Sequence, residues 1–285
     1  MKILVFTEKP FAPAAVKAIA DTVNASGNEL KLVEGGTRED FVEAIADADA
    51  LIVRSDKVDR ALLDHAKALK VIVRAGAGYD NIDLDAASER KICVMNTPGQ
   101  NSNAVAELVF GMIVMMCRNQ YNGKSGTELK DKSLGIYAYG QVGRNVARIA
   151  KGFGMKLEAL DKFVDDAVME ADGIKPLHDV KELFANNDFV SLHIPATPET
   201  RNSIGYDLVM LMPENGVLVN TARKEVIDEA GLMKALEERP DLRYVSDIKP
   251  DAAEEFEHKF ASRVFFTPKT VSYTHLRAHE TVLDL

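Results

Sequence analysis

The sequence has few cysteines, no metal-binding spacing and no long apolar run, and each absence excludes a class of protein. Its two cysteines, Cys93 and Cys117, lie in apolar runs and predict buried free thiols in a cytoplasmic protein, not a disulfide or a nucleophile. Because no C-x-x-C or H-E-x-x-H spacing occurs, we predict no metal site.

Membrane and nucleic-acid partners are not expected either. The most apolar run, Ala104–Cys117, is 14 residues long and contains Glu107, so it is too short to span a bilayer and indicates a buried helix. The net charge of −9 comes without a basic tract, which argues against nucleic acid or an anionic membrane as a partner. No secretory signal opens the chain, in keeping with a cytoplasmic location.

Short apolar runs alternate with amphipathic stretches in the first 96 residues. The predicted strands are Ile3–Phe6, Leu30–Val33, Ala50–Val53, Val71–Val73 and Ile92–Met95. The predicted helices are Pro13–Val23, Glu39–Ala48, Arg60–Ala68 and Leu84–Arg90. Strands that alternate with helices indicate an α/β domain with a mostly parallel sheet covered on both faces.

A second α/β domain follows a boundary near Asn96–Gln100. Its six predicted strands are Leu134–Tyr139, Lys156–Leu160, Phe189–Ile194, Gly216–Asn220, Tyr244–Ile248 and Val264–Thr267. We therefore predict domains over residues 1–96 and 97–269, both doubly wound, with a catalytic cleft between them as the default expectation.

The most informative stretch is Ser133–Arg144, where an apolar strand leads into a glycine-bearing turn and a helix start. An acidic residue, Asp161, closes the next apolar segment 18 positions after Gly143. This layout is typical of a dinucleotide-binding βαβ unit, although glycines at this spacing also mark ordinary strand-to-helix turns. The predicted cofactor is NAD, since Asp161 would bind the ribose hydroxyls and repel a 2′-phosphate, while Lys162 weakens that preference slightly.

The backbone N–H groups of the turn are predicted to approach the pyrophosphate, which the N-terminus of the following helix also favours. The residues that form this part of the site are Tyr139, Gly140, Gln141, Val142 and Gly143. Ala138 replaces the first glycine of G-x-G-x-x-G, and because alanine disfavours positive φ, we expect Ala138 to keep an ordinary β or α backbone conformation.

The last residues do not continue the α/β pattern. Thr270–Leu285 read as the translation of a sequencing-library adaptor that follows a truncated gene, so this non-native tail is excluded from functional reasoning. A genuine but unusual C-terminal helix is the alternative.

Several motifs in order resemble the D-isomer-specific 2-hydroxyacid dehydrogenases, and the resemblance covers residues 1–269. Besides the dinucleotide turn, they are Leu51–Ser55, Arg74–Asp83, Asn96–Gly99, Ala104–Leu108, Gly126–Leu129, Ser191–Pro195 and Val219–Arg223. The resemblance implies a flavodoxin-like substrate domain followed by a Rossmann NAD-binding domain. It also implies a homodimer through Ala104–Arg118, although a helix this apolar could equally belong to the core.

The activity implied is NAD-dependent oxidation of D-3-phosphoglycerate to 3-phosphohydroxypyruvate, the first step of serine biosynthesis. The alternatives are another D-2-hydroxyacid dehydrogenase, acting on glycerate, hydroxypyruvate or D-lactate, and a non-enzymatic NAD-sensing module similar to transcriptional corepressors. Relatives usually finish with a helix that crosses back to the first domain, so this truncated chain is expected to be weakly active.

Substrate contacts follow from the same resemblance. Arg223 would hold the substrate carboxylate and polarise the C2 oxygen, a task suited to a permanent, forked cation, and a surface salt bridge is the alternative. The backbone of Ala77 and Gly78 would bind the same carboxylate, or form a plain turn. Arg54, with Ser55 beside it, resembles a phosphate anchor, and an ordinary surface arginine is the competing interpretation.

Lys269 stands where most relatives have the catalytic histidine, and the usual glutamate partner is also missing. This pattern resembles a short subgroup in which lysine replaces both residues. Lysine can transfer the proton only if its pKa falls from about 10.4 toward 7 or 8. The alternative is an exposed residue that follows a strand.

The resemblance also marks residues around the cofactor. They are Ile194, Pro195 and Thr200 in a loop beside it, Thr221 and Ala222 before Arg223, and Asp247, which would bind the nicotinamide amide. Asp247 could otherwise be a buried cap or strand-end aspartate. His193 is expected to be structural or a neighbour of the cofactor.

Overall fold

The computed structural model describes residues 1–267, which form two compact units. The N-terminal unit is Met1–Asn101, and the C-terminal unit begins at Ser102. Lys269 and the predicted tail Thr270–Leu285 lie outside the described residues.

The N-terminal unit is a five-stranded parallel sheet with helices. Its strands are Lys2–Thr7 (β1), Glu29–Glu34 (β2), Ala50–Val53 (β3), Val71–Arg74 (β4) and Cys93–Asn96 (β5). Its helices are Pro13–Ala25 (α1), Arg38–Ile45 (α2), Arg60–Leu63 (α3) and Leu84–Glu89 (α4). The strand order β2-β1-β3-β4-β5 is the flavodoxin-like order, so the predicted fold of this unit is confirmed.

Side-chain caps fix where three of these helices begin. Thr37 and Asp40 form a reciprocal capping box at α2, while Asp59 and Asp83 accept hydrogen bonds from backbone N–H groups of α3 and α4. The predicted end of α3 was wrong. Lys70 N already donates to the Asp49 carbonyl beside the start of β4, so the chain leaves the helix early.

Cys93 corrects a second expectation, because it is exposed rather than buried. It lies on β5, an edge strand whose residues alternate between exposed and half-buried positions. Cys117 is buried as predicted, and desolvation raises the pKa of its thiol.

Up to residue 267, the C-terminal unit contains seven parallel strands where six were predicted. Its strands are Ser133–Tyr137 (β6), Lys156–Leu160 (β7), Lys175–Pro176 (β8), Phe189–Leu192 (β9), Val217–Asn220 (β10), Arg243–Ser246 (β11) and Val264–Phe266 (β12). Its helices are Ser102–Cys117 (α5), Gln141–Gly152 (α6), Asp166–Ala171 (α7), Val180–Ala185 (α8), Tyr206–Val209 (α9), Glu229–Glu238 (α10) and Ala253–Phe260 (α11).

The order β12-β11-β10-β9-β6-β7-β8 is the doubly wound dinucleotide-binding order with one extra strand. The added element, β8, has only two residues, too short a run to show as an apolar pattern. The order reverses between β6 and β9, both hydrogen-bonded to each other, and ligands bind outside the carboxyl ends of the strands at such a point.

Helix α5 packs in the core of the C-terminal unit. Val109, Ile113 and Met116 are buried in the same cluster as Leu134 and Ile136 of β6. The monomer's own core therefore accounts for much of the helix's apolar character, and the dimer contact stays a prediction. Within residues 1–267, the helices are all too short or too polar to cross a membrane.

Candidate functional site

The carboxyl ends of the parallel strands gather most of the predicted cofactor residues at one edge of the C-terminal sheet. Asp161 follows β7, His193 follows β9, Thr221 follows β10 and Asp247 follows β11. Neighbouring strands of this edge are tied together, since His193 N donates to Tyr137 O over 2.9 Å. Residues that are far apart in sequence thus share one end of the sheet.

The turn after β6 contradicts one expectation. Ala138 has φ +78°, in the left-handed region that glycine usually occupies, and not an ordinary β or α conformation. Its N–H donates to Leu160 O of β7 over 2.8 Å, which continues the strand pairing into the turn. Tertiary contacts therefore outweigh the local preference of alanine at this position.

Helix α6 begins directly after this turn, with Gly140 as its N-cap. No side chain caps the helix, and no acidic residue lies in its first turn. Gly143 packs so closely that a Cβ on it would lie 2.3 Å from Ala138 O, whereas a Cβ on Gly140 would meet nothing within 4 Å. The first N–H groups of α6 are therefore available for an anion.

Asp161 connects the turn to the segment that follows β7. Its Oδ2 accepts from Tyr139 N over 2.7 Å, and its Oδ1 accepts from Phe163 N and Val164 N over 2.8 and 3.2 Å. A carboxylate oxygen can accept two hydrogen bonds, so Oδ2 retains capacity for a ribose hydroxyl.

An open cavity of about 720 Å³ lies beside Asp161. Its apolar lining includes Leu160 of β7, Leu177 directly after β8 and Val180 of α8, together with Tyr137. Its volume is within the range of small-ligand pockets. Sequence reasoning missed Leu177 and His178 in its lining because they follow the unpredicted strand β8.

These features fit the dinucleotide predicted from the sequence. The uncapped start of α6 suits a pyrophosphate, and Asp161 suits ribose hydroxyls. The neighbouring cavity offers apolar side chains for a flat base among charged ones. Among residues 1–267, no group of three or more His, Cys, Asp or Glu side chains could hold a metal ion.

His193 lies between two hydroxyl groups at the switch point. Its Nε2 is 3.0 Å from Ser191 Oγ, and its Nδ1 is 3.4 Å from Thr221 Oγ1. Desolvation lowers the pKa of His193 to about 3, so its ring is neutral near pH 7. This arrangement is compatible with both roles expected of His193, a structural residue or a neighbour of the cofactor.

The other predicted cofactor residues occupy ordered positions on the same edge. Asp247 is only 2% exposed at the end of β11, and Ile194 is also buried. Thr200 accepts from Thr197 N over 2.8 Å and donates to Pro195 O, which fixes the loop over residues 195–200.

Arg223 leaves the carboxyl end of β10 on a turn held by Asn220. The fully buried Asn220 accepts from Ala222 N through Oδ1 and donates to Arg223 O through Nδ2, both over 3.0 Å. Arg223 Nη1 donates to Ala222 O over 2.8 Å. Sequence reasoning missed Asn220, because only its hydrogen bonds distinguish it from other polar residues.

In the N-terminal unit, Arg54 follows β3 and is only 6% exposed. Its Nη1 donates to Pro10 O over 3.2 Å, and its guanidinium carbon lies 5.9 Å from the centre of the Phe11 ring. The surface-arginine alternative is thus not what the structure shows. Ser55 beside it is exposed.

Ala77 and Gly78 belong to a turn at the carboxyl end of β4. Gly76 has φ +154°, and a Cβ there would lie 1.4 Å from Arg74 Nη1, so the arginine packs directly over the glycine. Asn96 Nδ2 donates to Ala77 O over 2.7 Å. No role for Arg74 or Asn96 was predicted from the sequence.

The chain is similar to known enzymes over most of its length. Residues 105–275 match the profile of the D-isomer specific 2-hydroxyacid dehydrogenase, NAD binding domain. A D-3-phosphoglycerate dehydrogenase from Methanocaldococcus jannaschii is 39% identical over 252 residues, which cover 84% of this chain and 47% of that protein. A glyoxylate reductase from Thermococcus litoralis is 36% identical over 219 residues, 70% of this chain and 66% of that protein.

Among solved structures, NAD⁺-bound 3-phosphoglycerate dehydrogenase from Entamoeba histolytica is similar to this chain with a TM-score of 0.90 and 44% identity. The match covers 99% of this chain and 91% of that one. The chain spans about half the length of the first curated phosphoglycerate dehydrogenases it matches.

Proposed function

This chain belongs to the D-isomer specific 2-hydroxyacid dehydrogenase family, and on that premise we propose that it oxidises D-3-phosphoglycerate to 3-phosphohydroxypyruvate with NAD⁺. The observation that carries the proposal is the buried Arg54, a second cation on a unit separate from the one that carries Arg223. A 2-hydroxy acid with a phosphate needs two cationic anchors, one for each anionic group.

The C-terminal unit is the NAD-binding domain. The turn N–H groups bind the pyrophosphate, Asp161 binds the adenosine ribose and Asp247 binds the nicotinamide amide, with the loop of Ile194, Pro195 and Thr200 beside it. Bound NAD⁺ supplies the hydride acceptor. Asp161 would also repel a 2′-phosphate, which favours NAD over NADP.

The substrate carboxylate is held by Arg223 and by the backbone N–H groups of Ala77 and Gly78. Arg223 is suited to this task because its guanidinium is always charged and donates in a planar fork. As the C2 oxygen loses its proton, Arg223 stabilises the negative charge that develops on it.

The proton from the C2 hydroxyl goes to Lys269. This assignment rests on sequence alone, because Lys269 lies outside the described residues. A neutral lysine is the required base, and neighbouring positive charge lowers a lysine's pKa toward that state.

Arg54 and the neighbouring Ser55 bind the phosphate. The Arg54 contacts with Pro10 O and the Phe11 ring hold its guanidinium at the end of β3, so little side-chain entropy is lost when an anion binds. We assign substrate binding to the N-terminal unit and a homodimer contact to α5 on the same family basis.

The second candidate is a reaction on an unphosphorylated 2-hydroxy acid or 2-keto acid. The glyoxylate reductase, which matches 70% of this chain, favours it. Arg54 distinguishes the two candidates, because an unphosphorylated acid has no group for it to bind.

The test compares kcat/KM of the wild-type protein and Arg54→Ala on D-3-phosphoglycerate, D-glycerate and D-lactate. A lost charge-assisted contact lowers kcat/KM for the phosphorylated acid about 30-fold and leaves the other two within about threefold. Arg60→Ala is the matched control, since Arg60 pairs with Glu89 on the surface of the same unit. An equal effect of Arg54→Ala on all three acids would contradict the phosphate anchor.

A further inference from the structure

The left-handed backbone at Ala138 needs a restraint that alanine itself does not provide. We propose that Tyr139 is a positioning residue, whose side chain holds the dinucleotide turn in its binding geometry before the cofactor arrives. The inference rests on the proposed NAD-binding function, and it concerns the side chain of Tyr139 rather than the backbone N–H already assigned to the turn.

The backbone of Ala138 is held in an unfavourable conformation. At φ +78° the Cβ of an L-residue crowds its own backbone, so Ala138 gains by rotating to a β or α conformation unless the chain on both sides is fixed. On one side, Ala138 N is hydrogen-bonded to Leu160 O in the sheet. The other side is Tyr139.

Tyr139 is fixed at its backbone, its ring and its hydroxyl. The residue is 1% exposed, and its N–H donates to Asp161 Oδ2 over 2.7 Å. The guanidinium carbon of Arg144, on α6, lies 5.3 Å from the ring centre, and the hydroxyl donates to Asp172 Oδ2 over 2.9 Å. The side chain therefore joins the turn to α6 and to the residue that ends α7.

Asp172 is itself held in place, so the Tyr139 hydroxyl has a fixed partner. Asp172 is the C-cap of α7, and its carbonyl accepts from Lys151 Nζ of α6. Arg144 Nη1 lies 3.9 Å from the same carboxylate oxygen that the tyrosine contacts. Burial, together with Asp172, raises the pKa of the Tyr139 phenol, so it remains a donor throughout the neutral range.

This anchorage bears on binding because Gly140 follows immediately as the N-cap of α6. If the turn relaxed at Ala138, the N–H groups of Gln141 and Val142 would no longer point at one place. Part of the binding free energy of an anion would then be used to order the turn, so the anion would bind more weakly. A glycine at position 138 would remove the strain, and the anchor would no longer be needed.

A purely structural role of Tyr139 predicts something different. If the side chain only stabilises the fold, Tyr139→Phe keeps the ring packing and loses one hydrogen bond, and a change at position 138 does not restore binding. A double-mutant cycle with Ala138→Gly therefore separates positioning from packing.

The experiment measures dissociation constants for NADH, ADP-ribose and adenosine with the 285-residue protein. Loss of one hydrogen bond to a charged group makes Tyr139→Phe about fivefold weaker for NADH and ADP-ribose. Adenosine, which lacks the pyrophosphate, binds unchanged. The double variant Ala138→Gly with Tyr139→Phe recovers NADH affinity to within about twofold of wild type.

Tyr206→Phe is the matched control. Tyr206 also donates to a carboxylate, that of Glu238, with Lys234 Nζ 4.2 Å from its ring centre, but it begins α9 away from the turn. We expect its NADH affinity to match the wild type. Undiminished NADH affinity in Tyr139→Phe, or a loss that Ala138→Gly does not reverse, overturns the inference.

Hydrogen exchange on the cofactor-free protein measures how firmly the turn is held, independently of whether the protein binds NAD. Tyr139→Phe should speed exchange of the amides of residues 139–143 about fivefold, whether or not NADH binds. Faster exchange in a protein whose wild type does not bind NADH supports the positioning role and contradicts the cofactor assignment. Unchanged exchange contradicts the positioning role.

Discussion

Two turns at carboxyl ends of parallel strands, one in each unit, reach unusual backbone conformations by different means. In the N-terminal unit the positive φ falls on Gly76, which lacks a Cβ and tolerates it. In the C-terminal unit it falls on Ala138, which does not. The conformation at the first turn is local, whereas the second depends on Asp161, Asp172 and Arg144.

The difference shows two ways to stabilise a left-handed turn. One is a glycine, and the other is a set of contacts from neighbouring side chains, here called the brace: those of Tyr139 with Asp161, Asp172 and Arg144. The brace links the conformation of the turn to cofactor binding, because Asp161 both accepts a hydrogen bond from Tyr139 N and is the proposed ribose ligand. A glycine at the turn would leave the two independent. A substitution that disrupts the brace should therefore weaken cofactor binding, while a substitution at Gly76 should weaken only the binding of the acid substrate.

The largest effect is expected from Gly143→Ala, which disrupts the turn at Ala138 directly. Gly143→Ala places a Cβ 2.3 Å from Ala138 O, a backbone atom that cannot move alone. We expect NADH affinity to fall about 100-fold, by analogy with misplacement of a preorganised site. Gly152→Ala at the end of the same helix is the control, since its Cβ meets nothing within 4 Å. Equal NADH affinity in the two variants would refute the tight packing of the turn.

The corresponding change in the N-terminal unit is Gly76→Ala. Alanine cannot adopt φ +154° without strain, and its Cβ would displace the Arg74 guanidinium. We expect KM for the acid to rise about tenfold while the dissociation constant of NADH stays the same. Steady-state kinetics and NADH titration give the two values. A parallel loss of NADH affinity would show that the two turns are not independent.

Asp161→Asn probes the residue that links brace and cofactor. The amide has one acceptor oxygen where the carboxylate has two, so the three backbone donors can no longer all be satisfied. We expect NADH to bind about tenfold more weakly and NADPH to be discriminated less, because the negative charge is gone. Titration with both cofactors measures this. Retained preference for NADH would remove Asp161 from cofactor selection.

A separate prediction concerns the stability of the fold in acid. Since the folded pKa of His193 is lowered from about 6.5 to about 3, the unfolded chain takes up a proton that the folded chain does not. The contribution of His193 to the free energy of unfolding is thus constant above pH 6.5. As the pH falls from 6.5 to about 3, it decreases by at most about 1.4 kcal/mol per pH unit. Urea unfolding of His193→Gln should show a shallower loss than wild type over that range. Identical slopes would contradict a His193 ring that is held neutral in the folded protein.

Periodic sequence patterns sufficed for the architecture but not for details set by tertiary contacts. Alternating apolar runs identify both parallel sheets, while β8 has too few residues to form a pattern. The exposure of Cys93 depends on its strand lying at a sheet edge. The conformation of Ala138 depends on Asp172, which is 34 positions away in the sequence and carries no motif.

The candidate site was predictable where a residue type is required by chemistry. Asp161, Arg223 and Arg54 all stand at strand ends in the structure, as the motifs indicated. The supporting residues were not predicted, because a buried amide such as Asn220 resembles any other polar residue until its hydrogen bonds are seen.

The proposed activity is hydride transfer from D-3-phosphoglycerate to NAD⁺, with Arg223 bound to the substrate carboxylate. Its most direct test is the initial rate of NADH formation by wild type, Arg223→Ala and the exposed control Arg201→Ala. We predict measurable NADH formation by wild type and Arg201→Ala, and a rate about 100-fold lower for Arg223→Ala. Equal rates for all three proteins, or no NADH from a wild type that binds the cofactor, would contradict the proposed activity.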